Sequence, residues 1–283
     1  MVATGLFAND ADTLEQRAFK DYEHMGHVFN SNKLLLGENV FNGSFGYLFA
    51  GVPVQAESGF VREYRHAAYF SLRARMFEEF FVQTSLFKDF NKDAVQIWTA
   101  DFYYSIGRFN WRPNTFDYGY ENYVNNKFTD NIQTLGDKFL QGFFFGSYKH
   151  SLPTKFMEAI RLDESTSLIF NWFLRYHINY LDEFEEIHGG IFDGKLITGV
   201  SCRFTVFKNF YLESAFYYYP EEHKKAPWDP DFTYGFGYFD WRAFRLSLTY
   251  GNWVVNRLPW NEKEIENYGF IDGEFRLSFN YAW

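Results

Sequence analysis

Apolar and polar side chains alternate at every second position through most of this chain, from about residue 43 onward. In residues 67–77, for example, Phe70, Leu72 and Met76 alternate with Arg73 and Arg75. Successive side chains of a β-strand point to opposite faces, so this period predicts strands with one apolar and one polar face. No apolar run approaches the roughly 18 residues that a membrane-spanning helix needs, which excludes transmembrane helices.

The composition indicates what the apolar faces meet. Aromatic residues make up 23% of the 283 residues, yet the mean hydropathy is only −0.36. A chain that hides so much aromatic surface by alternation is typical of a closed barrel, whose outer face contacts lipid while its lumen is polar. The net charge of −9 and the scattered basic residues argue against a nucleic-acid partner.

Twelve strands are predicted, and short and long connections join them in turn. The strands are placed at residues 43–52, 66–77, 79–89, 95–108, 114–124, 140–150, 166–178, 195–207, 210–219, 231–240, 243–253 and 272–283. Tight turns are predicted at 78–79, 110–113, 208–209 and 241–242, and long polar connections at 55–65, 127–138, 182–194, 221–230 and 261–272. Short turns on one side and long loops on the other are typical of membrane barrels, and an even strand count places both termini in the periplasm.

An internal repeat divides the predicted barrel into two halves. Residues 101–128 align without gaps to residues 231–258, an offset of 130, and 11 of the 28 positions are identical. Unrelated sequences would share roughly two such positions, given average residue usage. The same offset pairs Arg73 with Arg203 in the preceding hairpin. Strands 2–6 therefore correspond to strands 8–12, and residues 152–166 are the predicted junction between the halves.

The last predicted strand carries apolar residues at alternate positions and ends on an aromatic residue, with Phe275, Leu277, Phe279, Tyr281 and Trp283. This segment of about ten residues resembles the C-terminal recognition signal of bacterial outer-membrane proteins, and the whole pattern is similar to that of twelve-stranded outer-membrane barrels. The resemblance implies the barrel-assembly machinery and outer-membrane lipid as partners. We predict an all-β fold, a transmembrane antiparallel up-and-down β-barrel of about 12 strands in two tandem six-strand halves.

The N-terminal part of the chain differs from the rest. Residues 1–35 are predicted as a partly helical segment, with the helix at 10–28, that lies in the periplasm or plugs the lumen, and residues 36–283 as the barrel. Residues 1–12 show no secretory signal, so we expect the numbering to start at the mature chain with Met1 added. Cys202 alternates with lipid-facing residues and is expected to be inert, and a single cysteine excludes an internal disulfide.

Charged residues of both signs occupy the polar strand faces and are expected to share the lumen. The candidates for lining and selectivity are Arg73, Arg75, Arg175, Arg203, Arg245, Arg276, Asp101, Asp231, Glu213 and Glu274, with Asp117 and Glu121 beside them. One hypothesis is a polar pore whose arginines select anions or polyhydroxylated solutes. The alternative is a salt-bridged plug that holds the barrel shut. Twelve strands enclose more room than side chains fill in an eight-stranded barrel, which favours the pore.

The repeat gives the lumen a testable symmetry. Arg73 and Arg203 would face each other across the lumen, and two facing cations predict a preference for anions. Asp101 and Asp231 obey the same two-fold relation. They would neutralise the arginines if they lay at the same height, and the lumen would then be shut.

A motif repeats at the outer ends of strands 5 and 11. Its shared residues are Tyr120, Asn122, Asn126, Tyr250, Asn252 and Asn256. The two copies either form a two-fold contact for a ligand or partner, or they end their strands, with Tyr at the lipid interface and Asn bonding backbone. At the opposite end, Trp111–Arg112 and Trp241–Arg242 are predicted as interface anchors.

Enzymatic chemistry has little support in the sequence. The seven histidines form no His-x-Ser pair, and His150 and Ser151 would point to opposite strand faces, so no catalytic residue is predicted. His24 and His27, with Glu23, either bind a metal or lie on a solvated helix face. The solvated face is the preferred interpretation, so neither a metal nor a cofactor is predicted.

These features predict an outer-membrane channel for the passive passage of small hydrophilic solutes, such as sugars or acidic saccharides, through a charged lumen. The alternative is a closed structural or interaction barrel that binds a periplasmic or membrane protein through its loops or periplasmic tail. A lipid-modifying enzyme is a third hypothesis.

Overall fold

A computed structural model describes residues 41–56, 59–77, 79–91, 100–109, 114–122, 126–128, 139–163, 166–181, 186–240, 244–253, 255–261 and 269–282. The strands of the barrel are β1 (Phe41–Ala56), β2 (Gly59–Phe77), β3 (Phe80–Asp89), β4 (Phe102–Arg108), β5 (Phe116–Asn122), β6 (Phe143–Ser151), β7 (Ser167–His177), β10 (Lys195–Phe207), β11 (Phe210–Tyr218), β12 (Phe232–Tyr238), β13 (Arg245–Asn252) and β14 (Glu274–Ala282). A separate hairpin consists of β8 (Asn179–Leu181) and β9 (Ile187–Gly189), and helix α1 (Thr154–Ile160) joins β6 to β7. Within the described residues, no helix has the length and apolar character to cross a membrane.

The sheet closes on itself because the first and last strands pair. The β1–β14 ladder runs from Asn42 opposite Ala282 to Ala50 opposite Glu274. Every other barrel strand pairs antiparallel with the barrel strands before and after it in the chain, so the connectivity is up-and-down. Closure leaves no unpaired sheet edge facing lipid. The predicted closed barrel of 12 antiparallel strands is confirmed.

The two faces of the barrel differ as the alternation predicts. Large apolar side chains point outward and stay exposed; Trp172 is 59% exposed, Leu246 58% and Leu248 57%. Their chain neighbours point inward; Asn171 and Ser247 are polar or small, and aromatic residues such as Phe173 also occur on this inner face. Aromatic and β-branched residues suit such a half-covered strand surface, which is why the pattern forms strands. The outer face is therefore apolar enough to lie in lipid.

The hairpin of β1 and β2 extends beyond its neighbours at the end of the barrel opposite Asn42 and Ala282. Its own ladder continues to Ala56 opposite Gly59. The β14 ladder stops at Ala50, and the β3 ladder reaches only Ala67. The predicted long loop at 55–65 is therefore wrong. Residues 59–65 show no two-residue apolar period, so the sequence pattern did not indicate a strand there.

Two further boundaries differ from the prediction. The strand expected at 95–108 begins at Phe102, with residues 100 and 101 outside it and residues 92–99 outside the described part. The connection expected at 182–194 includes β9, which pairs with β8 as a small sheet of its own. Short strands of this kind carry too few residues for a periodic signal.

The two halves share irregularities as well as strands. The β2–β3 ladder shifts register between Arg75 and Phe77, and the β10–β11 ladder shifts between Thr205 and Phe207, exactly 130 residues later. A bulge bends its strand and is a specific feature of a sheet. The tandem relation between the halves therefore holds at the level of the backbone.

Several predictions fall on residues that the structure does not describe. These are the segment 1–35 with its helix at 10–28, the possible metal ligands Glu23, His24 and His27, and the interface anchors Trp111, Arg112, Trp241 and Arg242.

The outward placement of Leu248, near the middle of β13, gives a test of the lipid-facing surface. We expect Leu248→Arg to lower the free energy of unfolding in lipid vesicles by roughly 2–4 kcal/mol, because it places a charge against hydrocarbon. Thr249→Arg is the matched control, since Thr249 points into the lumen. Denaturant titration measures both, and a larger loss for Thr249→Arg than for Leu248→Arg would contradict the assignment of the two faces.

Candidate functional site

The lumen contains two equivalent arginines, each lying on a pair of aromatic rings. The Arg73 guanidinium carbon lies 4.4 Å from the ring centre of Phe81 and 5.5 Å from that of Phe109. The Arg203 guanidinium lies 3.8 Å from Tyr211 and 5.6 Å from Phe239. Each residue of the second set is 130 positions after its counterpart in the first. The rings hold both guanidiniums against the wall through cation–π attraction.

The partner beside each arginine differs between the halves. Arg73 Nε donates to the Gln83 side-chain oxygen at 2.7 Å, and Gln83 in turn donates to the Tyr103 hydroxyl at 2.9 Å. The position equivalent to Gln83 is Glu213, and its carboxylate lies 3.5 Å from an Arg203 nitrogen. The second half therefore neutralises its arginine at this position with a carboxylate, whereas the first half uses a neutral amide. The geometry is two-fold, but the charge is not.

Other lumen charges also face partners of opposite sign. Arg276 donates to Glu274 at 2.5 Å, and Lys149 forms an ion pair with the carboxylate of Asp117. The charge of Glu121 interacts most strongly with that of Arg175. Among the other candidates, Arg75 is buried, and Arg245, the first residue of β13, is exposed. Charges of both signs thus alternate around the wall.

Asp101 and Asp231 do not lie beside the lumen arginines. The Asp101 carboxylate accepts from the backbone N–H of Phe128, and the Asp231 carboxylate accepts from that of Leu258. Asp101 directly precedes β4, and Asp231 directly precedes β12. Each carboxylate lies 3.6 Å from a basic side chain in the loop that follows the next strand, Lys127 after β5 or Arg257 after β13. Their placement in the selectivity group is therefore corrected to one at the loop bases. The strand boundaries from sequence were too loose to show this difference in height.

The repeated rim motif forms the same hydrogen bonds in both halves. The Tyr120 hydroxyl donates to the backbone carbonyl of Phe139, and the Tyr250 hydroxyl to that of Phe270. Asn126 donates to the Asn122 side-chain oxygen at 2.8 Å, and Asn256 donates to that of Asn252 at 3.0 Å. The backbone N–H groups of Asp101 and Asp231 donate to the carbonyls of Asn126 and Asn256, both at 2.7 Å. The motif thus fixes the places where loops leave the barrel.

Loops of the second half form an ordered layer, the loop collar, from residues 193–195, 219–231 and 255–261. Lys224 is only 5% exposed and donates to Asp193 at 2.8 Å, and its ammonium also lies 2.7 Å from Glu221. These hydrogen bonds raise the pKa of Lys224. Lys195 forms an ion pair with Asp229 at 2.6 Å. Ion pairs and hydrogen bonds of this kind connect residues 219–231 to residues 193–195 above the wall of the second half.

Asp231 is the acceptor at the base of this collar. Its carboxylate lies 2.5 Å from the Lys225 ammonium and accepts from the backbone N–H of Leu258 at 2.8 Å and the Asn261 amide at 2.7 Å. Burial raises the pKa of Asp231, but these hydrogen bonds and the charge of Lys225 outweigh it and lower the pKa below its ordinary value. The carboxylate therefore stays ionised when it holds the collar.

A cavity of about 430 Å³ lies against one side of the lumen. The residues that line it come from β5, β6, β7, β10, β11 and β12, with Trp253 from the loop that follows β13. On the other side of the barrel, Leu48, Ala67 and Tyr69 form a buried cluster between β1 and β2. This cavity and the buried cluster therefore lie on opposite sides of the barrel. This cavity was not predictable from sequence, because it depends on which side chains fill the lumen.

The described residues give no support to a metal centre, since they contain no group of three or more His, Cys, Asp or Glu side chains placed to hold an ion. Cys202 is half-buried on the outward face of β10, and burial of this kind leaves a thiol unreactive.

A closed barrel of 12 antiparallel strands, with an apolar outer face and a charged lumen, defines this protein as an outer-membrane-type β-barrel. No protein-family model matches the chain, and no curated protein matches it. Its structure is similar to that of an outer membrane channel from Pseudomonas putida F1, with a TM-score of 0.38 and 10% identity over 91% of this chain and 100% of that one. It is also similar to OmpF of Salmonella typhi in complex with daunomycin, with a TM-score of 0.36 and 8% identity over 90% and 99% of the two chains. Both TM-scores are low, so the class rests on the barrel itself.

The rim motif gives a prediction about symmetry. Asn122 and Asn252 are both fully buried, and each accepts a hydrogen bond from the asparagine four residues later. We expect Asn122→Ala and Asn252→Ala each to lower the free energy of unfolding by about 1–3 kcal/mol, because each leaves buried polar groups unsatisfied. Denaturant titration should give the two variants similar losses. A loss in one variant and none in the other would show that the motif stabilises only one half.

Asp231 gives a prediction about pH. Because its folded pKa is depressed, its contribution to the collar is complete above the ordinary value of about 4 and is lost only as the pH falls through the lower folded value. We expect Asp231→Asn to make residues 219–231 several times more sensitive to protease at neutral pH. The wild-type collar should keep its hydrogen-exchange protection down to about pH 4 and lose it only below. Protection lost between pH 7 and 5 would contradict the role of this carboxylate.

Proposed function

We propose that this protein is a channel of the bacterial outer membrane, through which small hydrophilic solutes pass passively. The observation that carries the proposal is the cavity in the lumen, which charged and polar side chains line beside aromatic rings. A barrel that served only as a structural element would gain stability by filling this space. Twelve strands enclose a lumen that is wide enough for such a space to remain beside the side chains that point inward.

The paired charges support a channel with a weak preference between ions. Arg203 faces Glu213, Arg276 faces Glu274, and Lys149 faces Asp117. A solute that carries a net charge would meet both signs at each of these three pairs, so neither cations nor anions would be strongly favoured there. A neutral solute with many hydroxyl groups would find donors and acceptors in the same places. The function we propose is therefore the passage of polyhydroxylated solutes, with little selection for acidic ones.

We also propose which molecules contact this barrel and where its N-terminal segment lies. The apolar outer face supports lipid of the outer membrane as its immediate partner, and the C-terminal strand supports insertion by the barrel-assembly machinery. We propose that residues 1–35 lie in the periplasm or enter the lumen, where they would lower conductance. A periplasmic or membrane protein that binds this segment or the loops would act on the same channel.

Single-channel recording in planar bilayers tests the proposal. We expect the full chain to conduct, and deletion of residues 1–35 to leave conductance equal or higher. Glu213→Gln gives the second half the amide that the first half has at Gln83, so it should shift the reversal potential in a salt gradient toward anion preference. Gln83→Glu is the matched variant and should shift it toward cations.

Two results would contradict the proposal. The absence of conductance both with and without residues 1–35 would favour a closed barrel that binds a partner through its loops or tail. Equal reversal potentials for Glu213→Gln, Gln83→Glu and the wild type would show that ions do not pass these two positions.

A further inference from the structure

The lumen cavity combines aromatic rings with charged groups on the same wall. Four rings line it, from Phe145, Phe173, Tyr217 and Trp253. The ring centres of Phe173 and Tyr217 are 5.3 Å apart with their planes tilted by 59°. The Tyr217 hydroxyl lies 3.4 Å from that of Thr233, which fixes the ring. Phe173 is buried, whereas Phe145, Tyr217 and Trp253 keep part of their surface exposed and are available to a solute.

Two glycines make room for these rings. A Cβ atom on Gly199 would lie 2.6 Å from the edge of the Phe173 ring and would also meet the backbone oxygen of Phe216. A Cβ atom on Gly251 would overlap the indole of Trp253. Trp253 lies two residues after the inward-facing Gly251 and is 44% exposed. The indole therefore lies over the backbone at the outer mouth of the cavity, with part of its surface open.

Polar groups of both signs surround the rings. The Arg175 guanidinium lies 5.2 Å from the Phe173 ring centre and 6.0 Å from that of Tyr217, and its charge faces Glu121. Arg203 and Glu213 pair at 3.5 Å on the other side. Because two guanidiniums, of Arg175 and Arg203, and two carboxylates, of Glu121 and Glu213, line the cavity, it offers donors and acceptors without an excess of either charge. A ligand with a net charge would have to compete with these pairs.

We propose that this cavity is a binding subsite for a neutral saccharide of one or two rings, which places the apolar face of a sugar ring against Trp253. The C–H face of a pyranose is apolar and its rim of hydroxyls is polar, which matches rings flanked by charged donors and acceptors. The cavity volume of about 430 Å³ falls in the range of roughly 300–1,000 Å³ that small-molecule sites occupy. The inference rests on the proposed channel, because a solute that crosses the lumen would bind this subsite on its way through.

The test uses the full chain and two readouts, one of which does not require conduction. Isothermal titration calorimetry in detergent measures the binding of maltose, and planar-bilayer recording measures the block of the open channel by the same sugar. We expect Trp253→Ala to weaken maltose binding roughly tenfold, the loss of one aromatic contact. Trp260→Ala is the matched control, because Trp260 lies on the loop surface, is 77% exposed and does not line the cavity.

Two further measurements complete the test. One distinguishes a role of Trp253 in binding from a role in folding, and the other distinguishes a neutral ligand from an acidic one. Trp253→Phe keeps a ring and should restore most of the affinity, whereas a variant that failed to fold would lose its circular dichroism signal. Glucuronate should bind no more tightly than glucose, since no guanidinium in the cavity is in excess of its carboxylates.

The subsite is overturned if maltose neither binds nor blocks, if Trp253→Ala binds as well as Trp260→Ala, or if glucuronate binds more tightly than glucose. Conductance without sugar binding would contradict the proposed subsite and leave the proposed channel in place. Sugar binding without conductance, in chains with and without residues 1–35, removes the channel and leaves the subsite.

Discussion

The closure of the sheet between β1 and β14 is the constraint on which the rest of the structure depends. In hydrocarbon each unsatisfied backbone N–H or C=O costs several kcal/mol, so an open edge of about nine residues could not persist. The β1–β14 ladder removes both edges at once and also fixes which faces point outward. A slip of one residue in this ladder would turn Phe45 and Tyr47 into the lumen and expose Ser44 to lipid. The pairing of β1 with β14 therefore both closes the barrel and keeps the apolar side chains on the lipid side and the polar ones in the lumen.

The fold could be predicted from the sequence wherever lipid enforces alternation. Leu246 and Leu248 on β13 and Trp172 and Leu174 on β7 face outward in the structure as their two-residue period indicates. Prediction failed where the chain leaves the membrane. The tip of the β1–β2 hairpin pairs as far as Ala56 opposite Gly59, and residues 59–65 carry no two-residue apolar period that would reveal it. The same holds for β8 and β9, which are three residues each.

The candidate site was less accessible to sequence reasoning, and the reason is geometric. Alternation shows that Arg203 and Glu213 point inward, but only the register of β10 against β11 shows that they meet. The register of β11 against β12 pairs Glu213 with Gly235 and so places Asp231 near the loops instead of beside Arg203. The aromatic rings under both arginines come from strand positions that also look like ordinary core, as at Phe81 and Tyr211. The repeat at offset 130 did indicate one relation correctly, namely that Arg73 and Arg203 occupy equivalent positions, and each lies over an equivalent pair of aromatic rings.

The tandem halves have a consequence for the history of such a barrel. Six strands with this curvature form an open arc, and neither of its edges can remain unpaired in lipid. If both halves descend from one ancestral unit, that unit could have been inserted only as two identical copies closed edge to edge. In such a homodimer every lumen position would have been duplicated, so a carboxylate opposite one arginine would have appeared opposite both. A single chain with two halves is free of that restriction, and the difference between Gln83 and Glu213 is one that a homodimer could not carry.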